Sequence, residues 1–170
     1  INLIGITGTK GKTTTSYFVK NIFENAGRKS GLIGTNKNMI GSEEIQTKLT
    51  TPESHVINEL LSEMVKAGCS DCIMEVSSHS LDLSRVDELD FNVGVFTNIT
   101  SDHLDFHSTF ESYLTAKKKL FDNLKSSAKI IYNYDDVNCN ELIKDSAAQK
   151  LGYSIKADSE FRIKNVEYSL

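Results

Sequence analysis

A glycine-rich segment near the start of the chain carries the residue types that bind phosphate. It runs from Gly8 to Thr13 (Gly-Thr-Lys-Gly-Lys-Thr) and follows the apolar run 1–6. Its glycines permit a tight turn, so that backbone N–H groups and the start of a following helix can face an anion. Lys12 could reach the outer phosphates of a nucleotide, and the hydroxyl of Thr13 could bind Mg²⁺. The segment predicts a phosphate loop, although Ile6 stands where the usual pattern has its first glycine, and a plain strand–turn–helix is the alternative.

Glu75 is a second candidate, because it lies late in the apolar run 71–76. A carboxylate at the end of a strand can hold the magnesium that bridges nucleotide phosphates. The neighbouring residues are apolar, and a buried glutamate without a partner would be costly. A solvated acid at a strand end is the alternative, but the surroundings favour the metal role.

Polar residues are concentrated between Asn98 and His107, directly after the apolar run 91–96. This stretch includes two aspartates together with His103 and His107. The histidines could be metal ligands, substrate contacts or the first residues of a helix. No third nitrogen or sulfur ligand for zinc is evident, and the many oxygen donors favour magnesium with one imidazole contributing. A polar loop without chemistry is the alternative.

Lys117 falls on the apolar face of a helix predicted over 109–124. It lies four residues after Tyr113 and three before Leu120, which places all three on one side of the helix. Such a lysine either extends its ammonium group to solvent or is functional. Burial lowers the pKa of an amine, and a neutral amine reacts with, for instance, carbon dioxide. Periodicity alone favours the lysine that reaches solvent.

Alternating strands and helices must position these candidates. The pattern predicts an α/β fold: a doubly wound, mostly parallel sheet with the phosphate loop after its first strand and the start of a small β extension within 149–170. Ligands bind beyond the carboxyl ends of strands in such sheets, so the candidates should share one edge. Further strands are predicted at 31–34 and 129–132, a hairpin or loop at 36–49, and a weaker helix at 137–144. In the first helix the apolar face is assigned to Tyr17, Phe18, Ile22 and Phe23; the second begins with Thr51 as its cap and buries Val56, Ile57, Leu60, Leu61, Met64 and Val65.

Length and composition place the chain among soluble globular domains. The 170 residues suffice for one domain, and a net charge of −4 implies no general nucleic-acid or anionic-membrane partner. No apolar run is long enough to span a membrane. The chain lacks an initiator methionine and starts on a strand, which suggests a piece of a longer protein. Of the three cysteines, Cys69 and Cys72 have a spacing used by zinc and redox sites, but structural thiols in a cytosolic protein are favoured over both.

Five ordered sequence blocks together resemble one family, the Mur ligases, and specifically their central ATPase domain. Within the family, the blocks look most like the MurE branch, and an aliphatic residue at the position of Ile6 is usual there. The blocks are Gly-Ile-Thr-Gly-Thr-Lys-Gly-Lys-Thr-Thr-Thr (5–15), Leu-Thr-Thr-Pro-Glu (49–53), Met-Glu-Val-Ser-Ser-His-Ser-Leu (74–81), Phe-Thr-Asn-Ile-Thr-Ser-Asp-His-Leu-Asp-Phe-His (96–107) and Tyr-Leu-Thr-Ala-Lys (113–117).

The resemblance implies a role for each matching residue. Lys12, His103 and Lys117 would be catalytic, and Lys117 would be the lysine that the family carbamylates, which turns a cation into an anion able to support a metal ion. Leu83 stands where some members have glutamine, so that contact is absent or replaced. The implied ATP contacts are Gly8, Thr9, Lys10, Gly11, Lys12, Thr13, Thr14 and Asn98; the implied Mg²⁺ ligands are Thr13, Glu75, His103 and Lys117; the implied contacts to the UDP-sugar-peptide are Thr50, Thr51, Ser77 and Arg85.

The resemblance also implies a cytoplasmic enzyme of peptidoglycan precursor synthesis. It would use ATP to convert the D-glutamyl carboxylate of UDP-N-acetylmuramoyl-L-alanyl-D-glutamate into an acyl phosphate, which the amine of the third amino acid attacks. Residues 1–170 would be the central domain alone, inactive without the N- and C-terminal domains of the same protein. Two alternatives remain: another Mur-type ligase such as folylpolyglutamate synthase, and a nucleotide-binding module without ligase chemistry.

Overall fold

Nine strands form a single sheet in the computed structural model, which describes residues 1–100, 104–165 and 167, and the backbone alone at 104 and 105. Their order across the sheet is β4-β3-β2-β5-β1-β6-β7-β8-β9. All neighbours pair in parallel except the β2–β3 and β3–β4 pairs, which are antiparallel. The strands are β1 (Asn2–Thr7), β2 (Ser30–Ile33), β3 (Asn38–Ile40), β4 (Glu43–Ile45), β5 (Asp71–Glu75), β6 (Val93–Phe96), β7 (Lys129–Asn133), β8 (Gln149–Ser154) and β9 (Phe161–Arg162).

Helices connect most of the parallel strands and cover both faces of the sheet. Their bounds are α1 (Lys12–Asn25), α2 (Ser54–Lys66), α3 (Ser78–Asp82), α4 (Leu104–His107), α5 (Phe110–Asp122) and α6 (Cys139–Ile143). The short helices α3 and α4 were not predicted, because four or five residues are too few to display a helical period. The predicted hairpin at 36–49 is confirmed as β3 and β4, and the predicted strands near the C-terminus, β8 and β9, extend the main sheet.

Two apolar layers lie on opposite sides of the sheet because side chains alternate along each strand. On β1, Leu3 belongs to the larger layer with α2, α5 and α6, whereas Ile4 and Ile6 belong to the smaller layer with α1. The doubly wound α/β fold predicted from the sequence is therefore confirmed.

The order of the central strands brings the carboxyl ends of β5, β1 and β6 side by side. β1 lies between β5 and β6, and the chain leaves β1 towards one side of the sheet and returns on the other. Such a reversal of strand order opens a crevice at the carboxyl ends. In register, Ile6 is paired with Glu75 and Thr7 with Phe96, so the segments after all three strands start at the same edge.

Three details of the predicted helices were wrong. Phe18 and Ile22 are 66% and 64% exposed, because α1 directs Ser16 and Lys20 inward instead. Val65 on α2 is also exposed, at 55%. The cap of α2 is Glu53 rather than Thr51, since the Thr51 hydroxyl is used elsewhere, on the backbone at the end of β5.

Candidate functional site

The loop between β1 and α1 is shaped by two glycines with positive φ. Gly8 has φ +149° and Gly11 has φ +85°, and α1 begins at the next residue, Lys12. A Cβ on Gly8 would lie 1.9 Å from Thr97 Oγ1, so a larger residue would collide with the end of β6. The strand–loop–helix context predicted for a phosphate loop is present.

The loop is braced by the segment that follows β6. Thr97 donates its hydroxyl to the carbonyl of Lys10 at 2.7 Å. The Asn98 side chain accepts from the Lys10 N–H and donates to the Lys10 carbonyl, both at 3.0 Å. The backbone carbonyl of Asn98 accepts from the Thr9 N–H at 2.8 Å. Asn98, predicted as a nucleotide contact, thus lies at the loop and fixes its backbone.

Lys12 lies across its own loop. Its Nζ donates to the carbonyls of Gly8 at 2.8 Å and Thr9 at 3.1 Å. These bonds hold a positive charge over the turn at the place where a phosphate chain would be cradled.

Glu75 is fully buried at the end of β5 and is surrounded by hydroxyl groups. Its Oε2 accepts from Thr13 Oγ1 at 2.8 Å and from Thr35 Oγ1 at 2.9 Å, and its Oε1 accepts from the Thr35 N–H at 3.1 Å. Among the described residues, the partners that a buried glutamate requires are provided by Thr13 and Thr35.

The oxygen donors of Thr13 and Glu75 fit Mg²⁺, which binds through one or two protein oxygens and completes its shell with water and phosphate. Among the residues whose side chains the structure describes (1–100, 106–165 and 167), no three His, Cys, Asp or Glu side chains cluster as a dedicated metal cage.

Lys117 is 1% exposed, so the expectation that it reaches solvent was wrong. Its Nζ donates to the Gly8 carbonyl at 3.1 Å and lies 4.6 Å from the centre of the Tyr113 ring. Tyr113 is also buried, and its hydroxyl lies 3.1 Å from Thr9 Oγ1. The helix period placed Lys117 correctly on the inner face; only the tertiary packing shows that the side chain ends under the loop.

A cavity of about 330 Å³ adjoins Lys12. The four residues predicted to bind the UDP-sugar-peptide all contribute to its wall. The lining residues are Lys12, Leu49, Thr50, Thr51, Ser77, His79, Leu83 and Arg85.

Thr51 and Arg85 line this cavity and also hold its wall together through hydrogen bonds and an ion pair. The Thr51 hydroxyl donates to the Glu75 carbonyl at 2.7 Å and accepts from the Ser77 N–H at 3.0 Å. Arg85 donates to the Thr51 carbonyl at 3.1 Å and pairs with Glu53 at 2.7 Å. These contacts tie the end of β5 to the segment before α2.

The histidine-rich stretch is only partly described. His103, predicted as a catalytic residue and metal ligand, lies outside the described residues. His107 is 7% exposed and belongs to an aromatic group with His79, Phe106 and Tyr113, with neighbouring ring centres 4.0–5.7 Å apart.

Two site residues were missed from the sequence. Thr35 lies two residues after the end of β2, so its position just beyond a strand was available as a signal. His79 stands inside the Ser-Ser-His block after β5, yet it was not assigned to the cavity that it lines.

The remaining sequence predictions concern the cysteines and membranes. Cys69, Cys72 and Cys139 are buried free thiols, and burial raises the pKa of the Cys72 thiol far above its usual range, which fits structural roles. Among the described helices, none has the length and apolar content needed to cross a membrane.

Comparison with known proteins decides the family. Residues 6–170 match the family described as the Mur ligase middle domain. The chain belongs to the Mur ligase family. Mur ligases of known sequence that resemble it include the UDP-N-acetylmuramoyl-L-alanyl-D-glutamate–2,6-diaminopimelate ligases of Clostridium tetani, 47% identical over 98% of this chain, and Caldanaerobacter subterraneus, 47% identical over 100%. The chain spans about a third of these relatives, 34% and 35% of their lengths.

Solved Mur ligase structures agree with this assignment. A structure of a UDP-N-acetylmuramoyl-L-alanyl-D-glutamate–2,6-diaminopimelate ligase superposes with a TM-score of 0.90 at 29% identity, over 99% of this chain and 35% of that one. Escherichia coli FolC in complex with ADP shares the fold, with a TM-score of 0.70 at 18% identity over 89% of this chain and 42% of that one.

Proposed function

We propose that residues 1–170 are the central, ATP-binding domain of a ligase that extends UDP-N-acetylmuramoyl-L-alanyl-D-glutamate by a third amino acid, 2,6-diaminopimelate in the similar enzymes. One observation carries the proposal: the loop, Glu75 and the buried amine of Lys117 meet at one edge of the sheet, beside a cavity with hydroxyl and guanidinium groups. A nucleotide-binding module without transfer chemistry has no need for an amine enclosed under its loop.

The loop would hold the phosphates of ATP. Backbone N–H groups of residues 8–14 and the N-terminus of α1 would face the phosphate oxygens. Lys12 would exchange its bonds to the Gly8 and Thr9 carbonyls for bonds to the outer phosphates, where it offsets the charge of the group being transferred.

Thr13 and Glu75 would hold Mg²⁺. When bound, this ion neutralises charge on the phosphates and orients them for in-line transfer. Glu75 supplies the carboxylate and Thr13 the hydroxyl, and the two already lie in contact at 2.8 Å. His103 would contribute to a second magnesium, as the family resemblance implies.

Lys117 would act as a carbamate. The Lys117 ammonium first loses a proton, and attack of the neutral Nζ on carbon dioxide then forms an N–C bond and releases a second proton, which leaves a negative charge in place of a positive one. Nζ is enclosed beneath the loop, so the carbamate would form beside the Gly8 carbonyl. The anion would support a metal ion, as the family resemblance implies.

The cavity would bind the acceptor substrate. Thr50 and Ser77 offer hydroxyl groups, and Arg85 keeps a donor for an anion, since among the described residues no acceptor lies within hydrogen-bonding distance of its buried Nε. Lys12 lies at the border between this cavity and the loop, which suits a phosphoryl group that passes from one to the other.

The reaction follows from the chemistry of carboxylates. The D-glutamyl carboxylate attacks the γ-phosphorus of ATP, the bond to ADP breaks, and an acyl phosphate forms. The amine of the incoming amino acid attacks the acyl carbon, loses a proton and expels phosphate, which leaves an amide. Preorganised positive charge at the loop lowers the barrier of the first step.

The test uses the intact protein with its N- and C-terminal domains. It is supplied with ATP, Mg²⁺ and UDP-N-acetylmuramoyl-L-alanyl-D-glutamate, with and without 2,6-diaminopimelate, and ADP, phosphate and the amide are measured. We expect amide formation with equal amounts of ADP. Glutamylation of a folate in its place would assign the protein to the folylpolyglutamate synthases, and nucleotide binding without either product would make it a binding module.

A second arm tests the domain assignment. We expect the isolated 170 residues to bind ATP weakly and to form no amide, because the partner domains would supply the remaining substrate contacts. Amide formation by the isolated chain would contradict this.

A further inference from the structure

Thr35 donates two hydrogen bonds to the Glu75 carboxylate, one from its N–H and one from its hydroxyl. It is an exposed residue two positions after the end of β2, yet both its N–H and its hydroxyl point to a fully buried side chain. The N–H donates to Oε1 at 3.1 Å and the hydroxyl donates to Oε2 at 2.9 Å. One residue thus holds both oxygens of the carboxylate.

The same hydroxyl also touches the substrate cavity. Thr35 Oγ1 lies 3.1 Å from Thr50 Oγ1, and Thr50 lines the cavity beside Lys12. Thr35 is therefore the link between the carboxylate proposed for Mg²⁺ and a wall residue of the proposed substrate site.

The hydrogen bonds that link Thr50, Thr35 and Glu75 can run in one direction only. An ionised carboxylate only accepts, and a hydroxyl carries one proton. The Thr35 proton is donated to Glu75, so the bond between the two threonines must use the Thr50 proton. Thr50 then presents only lone pairs to the cavity and accepts from an N–H or O–H group of a ligand.

We propose that Thr35 is a positioning residue that fixes the Glu75 carboxylate for Mg²⁺ and turns Thr50 into a hydrogen-bond acceptor for the substrate. This inference rests on the proposed function, since it assigns a new residue to that site. It predicts that binding of Mg²⁺-nucleotide and binding of the UDP-sugar-peptide affect one another through Thr35, because the two ligands share one hydrogen-bond chain.

The packing around Glu75 shows why the carboxylate needs this support. Gly34 approaches so closely that a Cβ there would lie 2.4 Å from Glu75 Oε1. The carboxylate therefore sits against the backbone of residues 34 and 35. Removal of the Thr35 hydroxyl leaves the N–H contact and removes one of the two hydroxyl donors of Oε2.

The experiment compares Thr35→Val, Thr35→Ser and the control Thr115→Val in the intact protein. Thr115 is an exposed threonine on α5, so the same loss of a hydroxyl occurs there away from the site. Binding of ADP is titrated with Mg²⁺ by calorimetry, without acceptor substrate. We expect Thr35→Val to raise the Mg²⁺ concentration for half-maximal binding about tenfold, the size usual for loss of a supporting contact to a metal ligand, whereas Thr35→Ser and Thr115→Val stay near the unsubstituted protein.

A double-mutant cycle tests the link to the cavity. The dissociation constant of the UDP-sugar-peptide is measured for Thr50→Val, Thr35→Val and the double variant at saturating Mg²⁺-ADP. We expect the change in dissociation constant of the double variant to differ from the product of the two single changes, because both substitutions break the same hydrogen-bond chain. Multiplicative effects would overturn the coupling.

Further outcomes separate the role of the Thr35 hydroxyl from the proposed function. Equal Mg²⁺ dependence of Thr35→Val and Thr115→Val, or equal loss in Thr35→Ser and Thr35→Val, would overturn the role of the hydroxyl. Intact Mg²⁺-dependent ADP binding without amide formation would overturn only the proposed function. Absence of Mg²⁺-dependent binding in the unsubstituted protein would overturn both.

Discussion

Lys12 and Lys117 donate to the same oxygen atom, the carbonyl of Gly8, at 2.8 and 3.1 Å. One lysine comes from the first turn of α1 and the other from the inner face of α5, so two distant segments meet on one peptide group. Two ammonium groups at one carbonyl repel each other, which favours departure of Lys12 towards a phosphate. The geometry thus connects the state of the loop with the state of the buried amine.

Substitution of Lys117 tests its chemical role. In the intact protein we expect Lys117→Ala to reduce amide formation by roughly 10²-fold or more, because a charged group preorganised at the phosphoryl-transfer site is lost. Addition of a small carboxylate such as formate should restore part of the rate, since it can replace the carbamate. The measurement is steady-state release of phosphate in the presence of all substrates.

The matched control is Lys119→Ala on the same helix. Lys119 has a side chain that is 40% exposed and pairs with Asp82 at 3.2 Å, away from the loop. Its loss should leave the rate nearly unchanged. Full activity of Lys117→Ala would contradict the ligase mechanism proposed here.

Gly34→Ala should impair Mg²⁺ binding without unfolding the protein. The new Cβ would lie 2.4 Å from Glu75 Oε1 and displace the carboxylate, while the backbone of Gly34 is not in the left-handed region. We expect the Mg²⁺ requirement for ADP binding to rise at least about tenfold, as when a metal ligand loses its support. Unchanged Mg²⁺ dependence at an unchanged unfolding temperature would show that the carboxylate does not bind the ion.

Asp135 should confer a pH dependence on the turn at residues 155–157. Its carboxylate accepts from the N–H groups of Ile155, Ala157 and Lys156, and these bonds lower the pKa of Asp135 below its ordinary 3.8. A lowered folded-state pKa stabilises the turn above pH 3.8, and this contribution is lost as the pH falls through the folded-state value.

Amide hydrogen exchange measures this effect directly. We expect protection of Ile155, Lys156 and Ala157 to fall below about pH 4, and Asp135→Asn to remove that dependence. The Gly152 N–H serves as an internal control, because it donates to Glu160 rather than to Asp135 and should keep its own pH profile in the variant. If amide protection of the turn in the unsubstituted protein did not depend on pH, the prediction would be refuted.

Asp71 should contribute to stability but not to the site. It is fully buried at the amino end of β5 and accepts from Arg28, from Asn2 at 3.1 Å and from Ser70 at 2.6 Å. We expect Arg28→Met to lower the free energy of opening at β5 by about 1.5–3 kcal/mol, the range for hydrogen bonds to charged groups. Hydrogen exchange of the β5 amides measures this energy.

An exposed ion pair provides the comparison for Arg28. Lys125 and Asp90 have side chains that are 64% and 76% exposed, and loss of such a pair costs about 0–1 kcal/mol. Lys125→Met should therefore have the smaller effect, and neither variant should alter ADP binding, since Asp71 lies at the edge opposite the loop. Equal effects of the two variants would show that burial of Asp71 adds nothing.

The sequence predicted the fold class and the segments that meet at one edge of the sheet, because both depend on local patterns. A loop with glycines at 8 and 11 between an apolar run and a helix needs no long-range information, and Glu75 was selected from its position late in a strand. Periodicity placed Lys117 on the inner face of its helix, but only the family resemblance gave it a role. Phe18 and Ile22 were wrongly assigned to the buried face, because the residue type alone does not show whether a neighbouring element packs against that side of the helix. Thr35 was missed because a single threonine after a strand has no pattern of its own.

By itself, the sequence determined the strand–loop–helix order around Gly8 and Gly11, the alternation of strands and helices, and the face on which Lys117 lies, since these follow from residue type and periodicity. Only the tertiary structure decided that the Lys117 ammonium group ends beneath the Gly8 carbonyl and that the Glu75 carboxylate is held by Thr13 and Thr35. Those contacts join residues far apart in the chain, and the order of strands β2, β5, β1 and β6 in the folded sheet is what brings them within hydrogen-bonding distance.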